Sequence, residues 1–327
     1  MKLNIRTPAA LLTIPIALML AAPQSAIAQA WPTKQPIKLV AVFPAGGSVD
    51  QVARLLAQPL SQQIGQSIVV ENKGGASGSI GTAAVAAAAP DGYTFAVVFD
   101  THGVNPSLIP NMPFDSRKDL APVILVGTAP MVLATHAGSE FKTFTDVVAA
   151  AKVKKGASYG TIGSGSLGHL AMELLGKNAG LDFQHIPYKG GGPLMNDAVA
   201  GHVPLAIGSV FLLKPHVDSK RMRPLVVTTS KRSPDLPDVP TLSESGFAGF
   251  DAPAWWAVLA PAKTPPEIIK RMNEEINKVM RTADTAKRLD AQGIDVIGGT
   301  PEAARVFIER QMDVWAKVVK DNNIQAD

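Results

Sequence analysis

Three glycine-rich segments hold the residues of this 327-residue sequence that are best suited to chemistry. They span residues 45–48, 75–78 and 163–168, and each follows a predicted strand and precedes a predicted helix. Small residues and unpaired backbone N–H groups at a helix start form a site for an anion, whether a carboxylate or a phosphate. Because each segment also has a serine or another small residue at the helix start, we predict that donors from two domains converge on one acidic ligand.

The segment at 163–168 reads Gly-Ser-Gly-Ser-Leu-Gly, which matches the G-x-G-x-x-G pattern of dinucleotide-binding proteins. That function also needs an acidic residue after the next strand, where it accepts hydrogen bonds from the ribose hydroxyls. The next predicted strand, residues 183–186, is followed by Pro187, Tyr188 and Lys189 instead. We therefore interpret the segment as an anion site. An α/β enzyme that holds a nucleotide or a phosphorylated substrate there stays open as the alternative.

The residues that catalytic and metal sites need are absent or scattered. The chain has no Cys, and no Ser has Gly both two positions before and two positions after it, as the nucleophile of an α/β-hydrolase has. The six His form no His-x-x-x-His or His-Glu-x-x-His pair. We predict no enzymatic activity, no metal and no other cofactor. Of the six, His169 is best placed to contact an anion, one turn inside the helix that begins at Ser166, and His102 comes second.

The N-terminus predicts export. Two basic residues precede an apolar run at 9–22, which is followed by small-x-small sites that end at Ala28 and Ala30. The run is shorter than the about 20 residues that cross a bilayer, which disfavours a permanent anchor, and no Cys follows for lipid attachment. We therefore expect residues 1–30 to be a secretion signal, cleaved after Ala28 or Ala30, and the mature chain to be periplasmic. Exported proteins rarely meet soluble NAD, which weakens the dinucleotide interpretation further.

The charge balance argues against nucleic-acid binding. Lys and Arg number 31 against 27 Asp and Glu, and without the predicted signal 29 basic residues remain against 27. They form no cluster beyond short pieces such as residues 152–155, whereas a nucleic-acid-binding face needs a basic patch. At about 100–200 residues per domain, the length predicts about two folded domains.

Strand and helix signals alternate along the chain, which predicts an α/β fold. Apolar strands at 37–43, 68–70 and 93–99 alternate with two helices, the first of which opens with a capping box of Ser48 and Gln51. This β-α-β-α-β order implies a parallel sheet with helices on both faces. Later elements are predicted as strands at 123–126, 131–133, 158–162, 183–186, 205–207, 225–228 and 255–259, and as helices at 144–152, 166–179, 192–200 and from Thr264 and Thr300.

An ordered set of motifs resembles the Bug family, the periplasmic solute receptors of the tripartite tricarboxylate transporter systems. The set covers nearly the whole chain after the predicted signal, and its order makes the resemblance specific although each motif alone is weak. The motifs are WP at 31–32, PIKLV at 36–40, FPAGGSVD at 43–50, VENKGGASG at 70–78, PDGYT at 90–94, KDLAPV at 118–123, GSGSLGHL at 163–170 and IPYKGG at 186–191.

The resemblance implies a type II periplasmic-binding-protein-like fold, in which two doubly wound α/β lobes close on a ligand cleft between them. Lobe 1 would comprise residues 31–130 and 255–327, and lobe 2 residues 131–254. The implied function is that of a receptor, expected as a monomer, that binds a small carboxylated solute and transiently meets the membrane subunits of a secondary transporter. The receptor of an ATP-driven importer, with the same fold and other membrane partners, stays open as a further alternative.

The resemblance also implies where the solute binds. In this family, backbone donors and ordered water from the first strand–helix loop and its counterpart in lobe 2 hold the carboxylate, which corresponds here to residues 43–50 and 161–169. The stretch Asp100-Thr101-His102 falls where family members vary, so it is expected to help to set ligand identity. The predicted ligand-binding residues are Phe43, Ala45, Gly46, Gly47, Ser48, Asp50, Ala76, Ser77, Asp100, His102, Thr161, Ser164, Gly165, Ser166, His169 and Tyr188.

Overall fold

Two separate β-sheets, each covered by helices, make up the computed structural model, which describes residue 1 and residues 31–153 and 156–325. A short 3-10 helix, Ala76–Gly78, precedes α2. The strands are β1 (Ile37–Ala41), β2 (Ile68–Asn72), β3 (Thr94–Phe99), β4 (Leu120–Ala129), β5 (Met131–His136), β6 (Ala157–Thr161), β7 (Phe183–Pro187), β8 (Leu205–Ser209), β9 (Met222–Val227), β10 (Ala254–Pro261) and β11 (Asp295–Gly298). The helices are α1 (Ser48–Ile64), α2 (Ser79–Ala86), α3 (Thr101–Leu108), α4 (Phe144–Ala151), α5 (Leu167–Ala179), α6 (Gly191–Ala200), α7 (Val210–Asp218), α8 (Pro266–Arg281), α9 (Ala283–Asp290) and α10 (Pro301–Asp321).

The first sheet has the strand order β11-β4-β10-β3-β1-β2. Strand β1 pairs in parallel with both β2 and β3, so the parallel arrangement predicted for this part of the chain is confirmed. Strand β10 returns from the C-terminal part of the chain and runs antiparallel between β3 and β4. Because parallel strands end at the same edge of a sheet, the loops after β1, β2 and β3 lie together, at the edge where α/β proteins bind ligands.

The second sheet has the order β7-β6-β8-β5-β9, with β6 parallel to β7 and β8, and β5 antiparallel to β8 and β9. The two sheets with their helices form two α/β lobes, as the sequence predicts. The chain enters the second sheet at Met131 and returns to the first at Ala254. The predicted lobe limits, after residues 130 and 254, are within one residue of these two positions. The assignment of residues to the two lobes stays a prediction.

Two tryptophans of β10 point to opposite faces of the first sheet, because successive strand residues alternate, and both are fully buried. Trp255 packs edge-on against Phe307 of α10 within lobe 1. The ring of Trp256 lies 5.1 Å from that of Phe99 in β3 and 5.5 Å from that of Phe211 in α7, measured between centroids. Since α7 belongs to lobe 2, Trp256 joins the apolar cores of the two lobes.

The capping box predicted at the start of α1 is wrong. The helix begins at Ser48, and its N-cap is Gly47, which has no side chain to accept a hydrogen bond. The carboxylate of Asp50 accepts the N–H of Gly46 instead, and the side chain of Gln51 donates to the Gly46 carbonyl oxygen. The N–H of Gln51, which the predicted capping box would bond to the Ser48 hydroxyl, donates to the Gly47 carbonyl oxygen, because the helix begins one residue earlier than that box requires.

The helix predicted from Thr264 also begins later than expected. Its N-cap is Pro265, and the buried hydroxyl of Thr264 makes no hydrogen bond within the described residues. Thr300 caps α10 as predicted, by accepting the N–H of Ala303. The predicted signal at 1–30 lies outside the described residues apart from residue 1. Within residues 31–153 and 156–325, no helix combines the length and apolar character that a membrane span requires.

Candidate functional site

A cavity of about 730 Å³ lies between the two lobes, where the loops after β1, β2, β6 and β7 meet. Lobe 1 lines it with Phe43, Ala76 and Ser77, and lobe 2 with Ser164 and Tyr188, all of which are predicted site residues. Another cavity, of about 530 Å³, lies between α8 and α10 on lobe 1 and contains none of the predicted residues. The first cavity is the candidate site because both lobes line it at the ligand-binding edge of their sheets.

The turn at 75–78 forms part of the lobe 1 wall. Ala76 and Ser77 have φ angles of 44° and 50°, a left-handed conformation that costs about 1–3 kcal/mol and persists only where the surroundings hold the backbone. The side-chain N–H of Asn105 donates to the Ser77 carbonyl oxygen at 3.0 Å. The Ser77 hydroxyl donates to the carbonyl oxygen of Ser164 in lobe 2 at 2.5 Å. The turn is therefore held from both lobes.

Two helix N-termini face each other across the cleft beside this turn. Helix α1 of lobe 1 and helix α6 of lobe 2 both begin after a glycine N-cap, Gly47 and Gly190, so neither has a side-chain cap. A Cβ atom on Gly47 would lie 3.6 Å from the backbone nitrogen of Gly191, and one on Gly192 would lie 3.1 Å from the Ala45 carbonyl oxygen. Two positive helix ends, with first-turn N–H groups that lack side-chain acceptors, thus meet at one junction.

Asp50 holds the loop after β1 in place. Its carboxylate accepts the N–H of Gly46 at 3.0 Å and the side-chain N–H groups of Asn72 and Arg54, each at 2.9 Å. Asn72 also donates to the carbonyl oxygen of Phe43 at 3.1 Å. Burial alone would raise the pKa of Asp50, but the hydrogen bonds from Arg54, Gly46 and Asn72 and the charge of Arg54 lower it below its usual value. The carboxylate is thus engaged by the protein and positions the loop.

We expect Asp50→Asn to lower the free energy of unfolding by about 1–3 kcal/mol at neutral pH, because the amide cannot replace the charge-assisted bonds. The pKa of Asp50 is lower in the folded than in the unfolded state. Its stabilisation is therefore complete above the unfolded pKa of about 3.9 and is lost as the pH falls through the folded pKa. Urea unfolding from neutral to acidic pH should show the difference between parent and variant shrinking in acid.

Asp238→Asn is the control for this prediction, because it removes an exposed carboxylate from lobe 2. Surface substitutions of this kind change stability by about 0.5 kcal/mol at most. A destabilisation by Asp50→Asn that stayed the same from neutral to acidic pH would contradict the proposed role of the carboxylate charge.

The turn at the start of α5 uses most of its N–H groups inside lobe 2, which corrects our expectation of unpaired donors there. The N–H of Gly163 donates to Thr161 Oγ1 at 3.1 Å, and that of Gly165 donates to His169 Nδ1 at 3.1 Å. The N–H of Ser166 donates to the Gly163 carbonyl oxygen, and Ser166 caps α5 by accepting the N–H of His169. Thr161, Ser166 and His169 therefore shape this turn.

Neither predicted histidine brings a positive charge to the cleft. His169 stacks on His185 with ring centroids 4.0 Å apart, and its Nδ1 carries no proton because it accepts the N–H of Gly165. His102 is 3% exposed and stacks on Phe114, and burial lowers its pKa to about 4. The imidazole of His102 is consequently neutral at physiological pH.

Tyr188 lines the cavity, but its hydroxyl is bound to the protein. It donates to the carboxylate of Asp197 in α6 at 2.9 Å, and burial together with this neighbour raises the pKa of Tyr188 to about 12. In the part of the chain that the structure describes, no group of three or more His, Asp and Glu residues is arranged to hold a metal ion. Apart from Lys189, the residues that line the cavity are uncharged.

Three structural contributors to the cleft were not predicted, although the sequence contains a signal for two of them. Asn72 is the last residue of β2, which is rich in β-branched residues, and two glycines follow at 74 and 75. A residue at this position lies at the edge of the sheet. Asn105 lies on the unpredicted helix α3 and supports Ser77 from behind. Residues 190–192 are three consecutive glycines between a predicted strand and a predicted helix, a fourth segment of the kind singled out above.

Known proteins match this chain over nearly its whole length. Residues 52–324 match the tripartite tricarboxylate transporter family receptor. Protein BugT of Bordetella pertussis is 37% identical over 305 residues, which cover 92% of this chain and 93% of BugT. The periplasmic binding protein BugD has a TM-score of 0.85 and 31% identity, over 90% of this chain and 99% of BugD. The structure of R. palustris Rpa4515 with adipate has a TM-score of 0.86 and 34% identity, over 90% of this chain and 99% of Rpa4515.

These matches confirm the resemblance to the Bug family and the predicted fold of two α/β lobes of a periplasmic binding protein. They are matches to receptors and not to enzymes, in agreement with the predicted absence of catalytic activity. The chain belongs to the receptor family of the tripartite tricarboxylate transporters.

Proposed function

We propose that this chain is an exported receptor that closes on a small carboxylated solute and delivers it to the membrane subunits of a secondary transporter. The observation that carries the proposal is the cavity of about 730 Å³ between the two lobes, since neither lobe alone can surround a solute. A cavity of about 300–1,000 Å³ suits a small molecule. Opening and closing of the two lobes would admit and release it.

Backbone N–H donors at helix starts would hold the carboxylate. Helices α1 and α6 begin without side-chain caps, and their positive ends meet across the cleft at Gly47 and Gly191. Each such end favours an anion by about 0.3–1 kcal/mol, in addition to the hydrogen bonds that its free N–H groups donate. Rpa4515 was solved with adipate, a dicarboxylate, which supports a carboxylate as the ligand class.

The predicted site residues divide into two roles in this proposal. Residues of the first group line the cavity or lie where the starts of α1 and α6 meet, at Gly47 and Gly191, and they contact the solute. Residues of the second group make polar contacts within the protein and position the turns. The first group is Phe43, Ala45, Gly46, Gly47, Ser48, Ala76, Ser77, Ser164 and Tyr188, and the second is Asp50, Thr161, Gly165, Ser166 and His169. The other two predicted residues, Asp100 and His102, are buried at the start of α3, do not line the cavity and have no role in this proposal.

Export, a monomeric state and transient contact with membrane subunits complete the proposal. The match to periplasmic receptors supports export by a signal cleaved after Ala28 or Ala30, and it favours a secondary transporter over an ATP-driven importer. The alternative of a nucleotide- or phosphate-binding enzyme loses support, because the N–H groups of Gly163, Gly165 and Ser166 that it needs are bonded inside lobe 2.

Screening of the purified protein against mono-, di- and tricarboxylates tests this proposal. A solute that binds only the folded state should stabilise it by about 2.7 kcal/mol at a hundredfold excess over its Kd, which thermal unfolding measures. Small-angle scattering should show a more compact molecule with that solute, because closure brings the lobes together. Mass spectrometry should recover the solute unchanged after long incubation. Turnover of the solute would favour the enzyme, and binding without compaction would refute closure by two lobes.

A further inference from the structure

The cavity of about 530 Å³ on lobe 1, between α8 and α10, has the size of a small-molecule site, for which about 300–1,000 Å³ is typical. Its lining residues all differ from those of the cavity between the lobes. Apolar side chains form much of its wall, among them Leu120, Ile269, Ile308 and Met312. This wall suits the apolar part of a ligand, because covering it removes apolar surface from water.

A buried hydroxyl group without a partner lines the same cavity. Thr264 is 3% exposed, and its Oγ1 makes no hydrogen bond within residues 31–153 and 156–325. The hydroxyl does not cap α8, whose N-cap is Pro265. Buried polar groups in native proteins are almost always hydrogen-bonded, so this exception requires an explanation. A ligand in the cavity that accepts a hydrogen bond provides the partner that the described residues do not.

Two lysines that line the cavity together with Thr264 favour an anionic ligand. Lys118 pairs with Asp115 at 3.1 Å, and Lys270 pairs with Glu274 at 3.9 Å. The lysine side chains are 82% and 77% exposed, and ion pairs between such exposed groups contribute little to stability. Neither carboxylate partner lines the cavity. Both lysines can therefore turn to a ligand at a small cost.

The charges that α10 brings to the cavity limit the ligand to one acidic group. Arg305 donates to Glu302 at 2.6 Å and to Glu309 at 2.9 Å, and all three residues line the cavity. Because two carboxylates surround one guanidinium, this cluster has a net negative charge and repels a second anion. A ligand with one carboxylate and an apolar chain fits both sides of the cavity, whereas a di- or tricarboxylate does not.

We propose that this cavity is a second ligand site, which takes a medium-chain monocarboxylate such as a fatty acid. The carboxylate accepts the hydrogen bond of the Thr264 hydroxyl and lies near Lys118 and Lys270, and the chain covers Ile269 and Ile308. The proposal is independent of the proposed function, because the cavity between the lobes has other lining residues.

Titration with octanoate, followed by NMR of isoleucine methyl groups, tests where the fatty acid binds. The methyl signals of Ile269 and Ile308 should shift, and Ile162, which lines the cavity between the lobes, reports separately on binding there. Octylamine has the opposite charge and butyrate a shorter chain, so each should bind at least about tenfold more weakly than octanoate. Octylamine that binds as tightly as octanoate, a shift confined to Ile162, or no shift at all would overturn the proposal.

Thr264→Val tests the role of the unpartnered hydroxyl. The variant should bind octanoate about tenfold more weakly, because it lacks the donor to the carboxylate. Its Tm should not fall below that of the parent, since the lost hydroxyl has no partner in the free protein.

Thr135→Val is the matched control. Thr135 is a fully buried threonine of lobe 2 whose hydroxyl donates to the Pro204 carbonyl oxygen at 2.6 Å. Its replacement should lower the Tm and leave the affinity for octanoate unchanged. Parent affinity in Thr264→Val, or a fall in its Tm as large as that in Thr135→Val, would refute Thr264 as the donor. If Thr264→Val does not fold, the NMR titration of the parent protein still decides.

Discussion

Replacing Gly165 with valine is expected to weaken solute binding about ten- to hundredfold while both lobes stay folded. Gly165 has a φ of +75°, and a Cβ atom there would lie 3.1 Å from Cδ1 of Leu108 on α3 in lobe 1. The two methyl groups of valine reach further, so closure would force them into lobe 1 at a cost of about 1–3 kcal/mol. Since open lobes do not make this contact, the cost falls on the closed, solute-bound state.

Gly180→Val is the matched control for this experiment. Gly180 follows the opposite end of α5, has a φ of +64°, and has no atom within 4 Å of a Cβ position. Both substitutions place valine in a left-handed conformation at a cost of about 1–3 kcal/mol, which urea unfolding measures, but only Gly165 faces the other lobe. Calorimetric titration should therefore find parent affinity in Gly180→Val. Equal affinities in the two variants would show that the turn at Gly165 takes no part in closure.

Much of the fold follows from local signals in the sequence. The sequence shows apolar strands that end in glycine-rich turns, with a helix of apolar spacing after each turn. This pattern predicted β1, α1, β2, α2 and β3 and their parallel arrangement. The position of β10 between β3 and β4 does not follow from such signals. Strand order depends on which strands a segment pairs with in the folded sheet. The residue pattern of a single strand holds no information about its neighbours.

The elements that were missed have weak local preferences. Helix α3 contains Gly103 and Pro106, and α7 contains Pro215, residues that disfavour a helix in an isolated chain. Both helices form nevertheless because they pack at the lobe interface, where Leu108 of α3 approaches lobe 2 and Phe211 of α7 contacts lobe 1. Strand β11 is mostly exposed, so it has no buried face that an apolar pattern would mark.

The place of the candidate site was predictable, but its hydrogen bonds were not. Glycine-rich turns at the ends of parallel strands had to meet at one edge, and Phe43, Ser77 and Ser164 do line a common cavity. Whether an N–H group in such a turn is free depends on which side chain folds back to it. His169 takes the N–H of Gly165 in this way, and no spacing rule predicts that bond.

Replacing Trp256 with alanine is expected to lower the free energy of unfolding by about 3–5 kcal/mol, a large share of the about 5–15 kcal/mol that stabilises a typical protein. The side chain is fully buried, with its ring close to Phe99 in lobe 1 and Phe211 in lobe 2. Truncation removes the contacts with both and leaves a cavity that the surrounding strands can fill only in part. Because Phe211 is the contact to the other lobe, the substitution should also loosen the coupling between the lobes.

Trp255→Ala separates these two effects. Trp255 is also fully buried, but it packs against Phe307 within lobe 1, on the opposite face of β10. Its truncation should therefore cost a similar about 3–5 kcal/mol and leave the contact between the lobes intact. Differential scanning calorimetry should resolve two unfolding transitions in Trp256→Ala, since each lobe then unfolds with less support from the other. A loss of less than about 1 kcal/mol in Trp256→Ala, or the same separation of transitions in Trp255→Ala, would contradict the role of Trp256 as the link between the two cores.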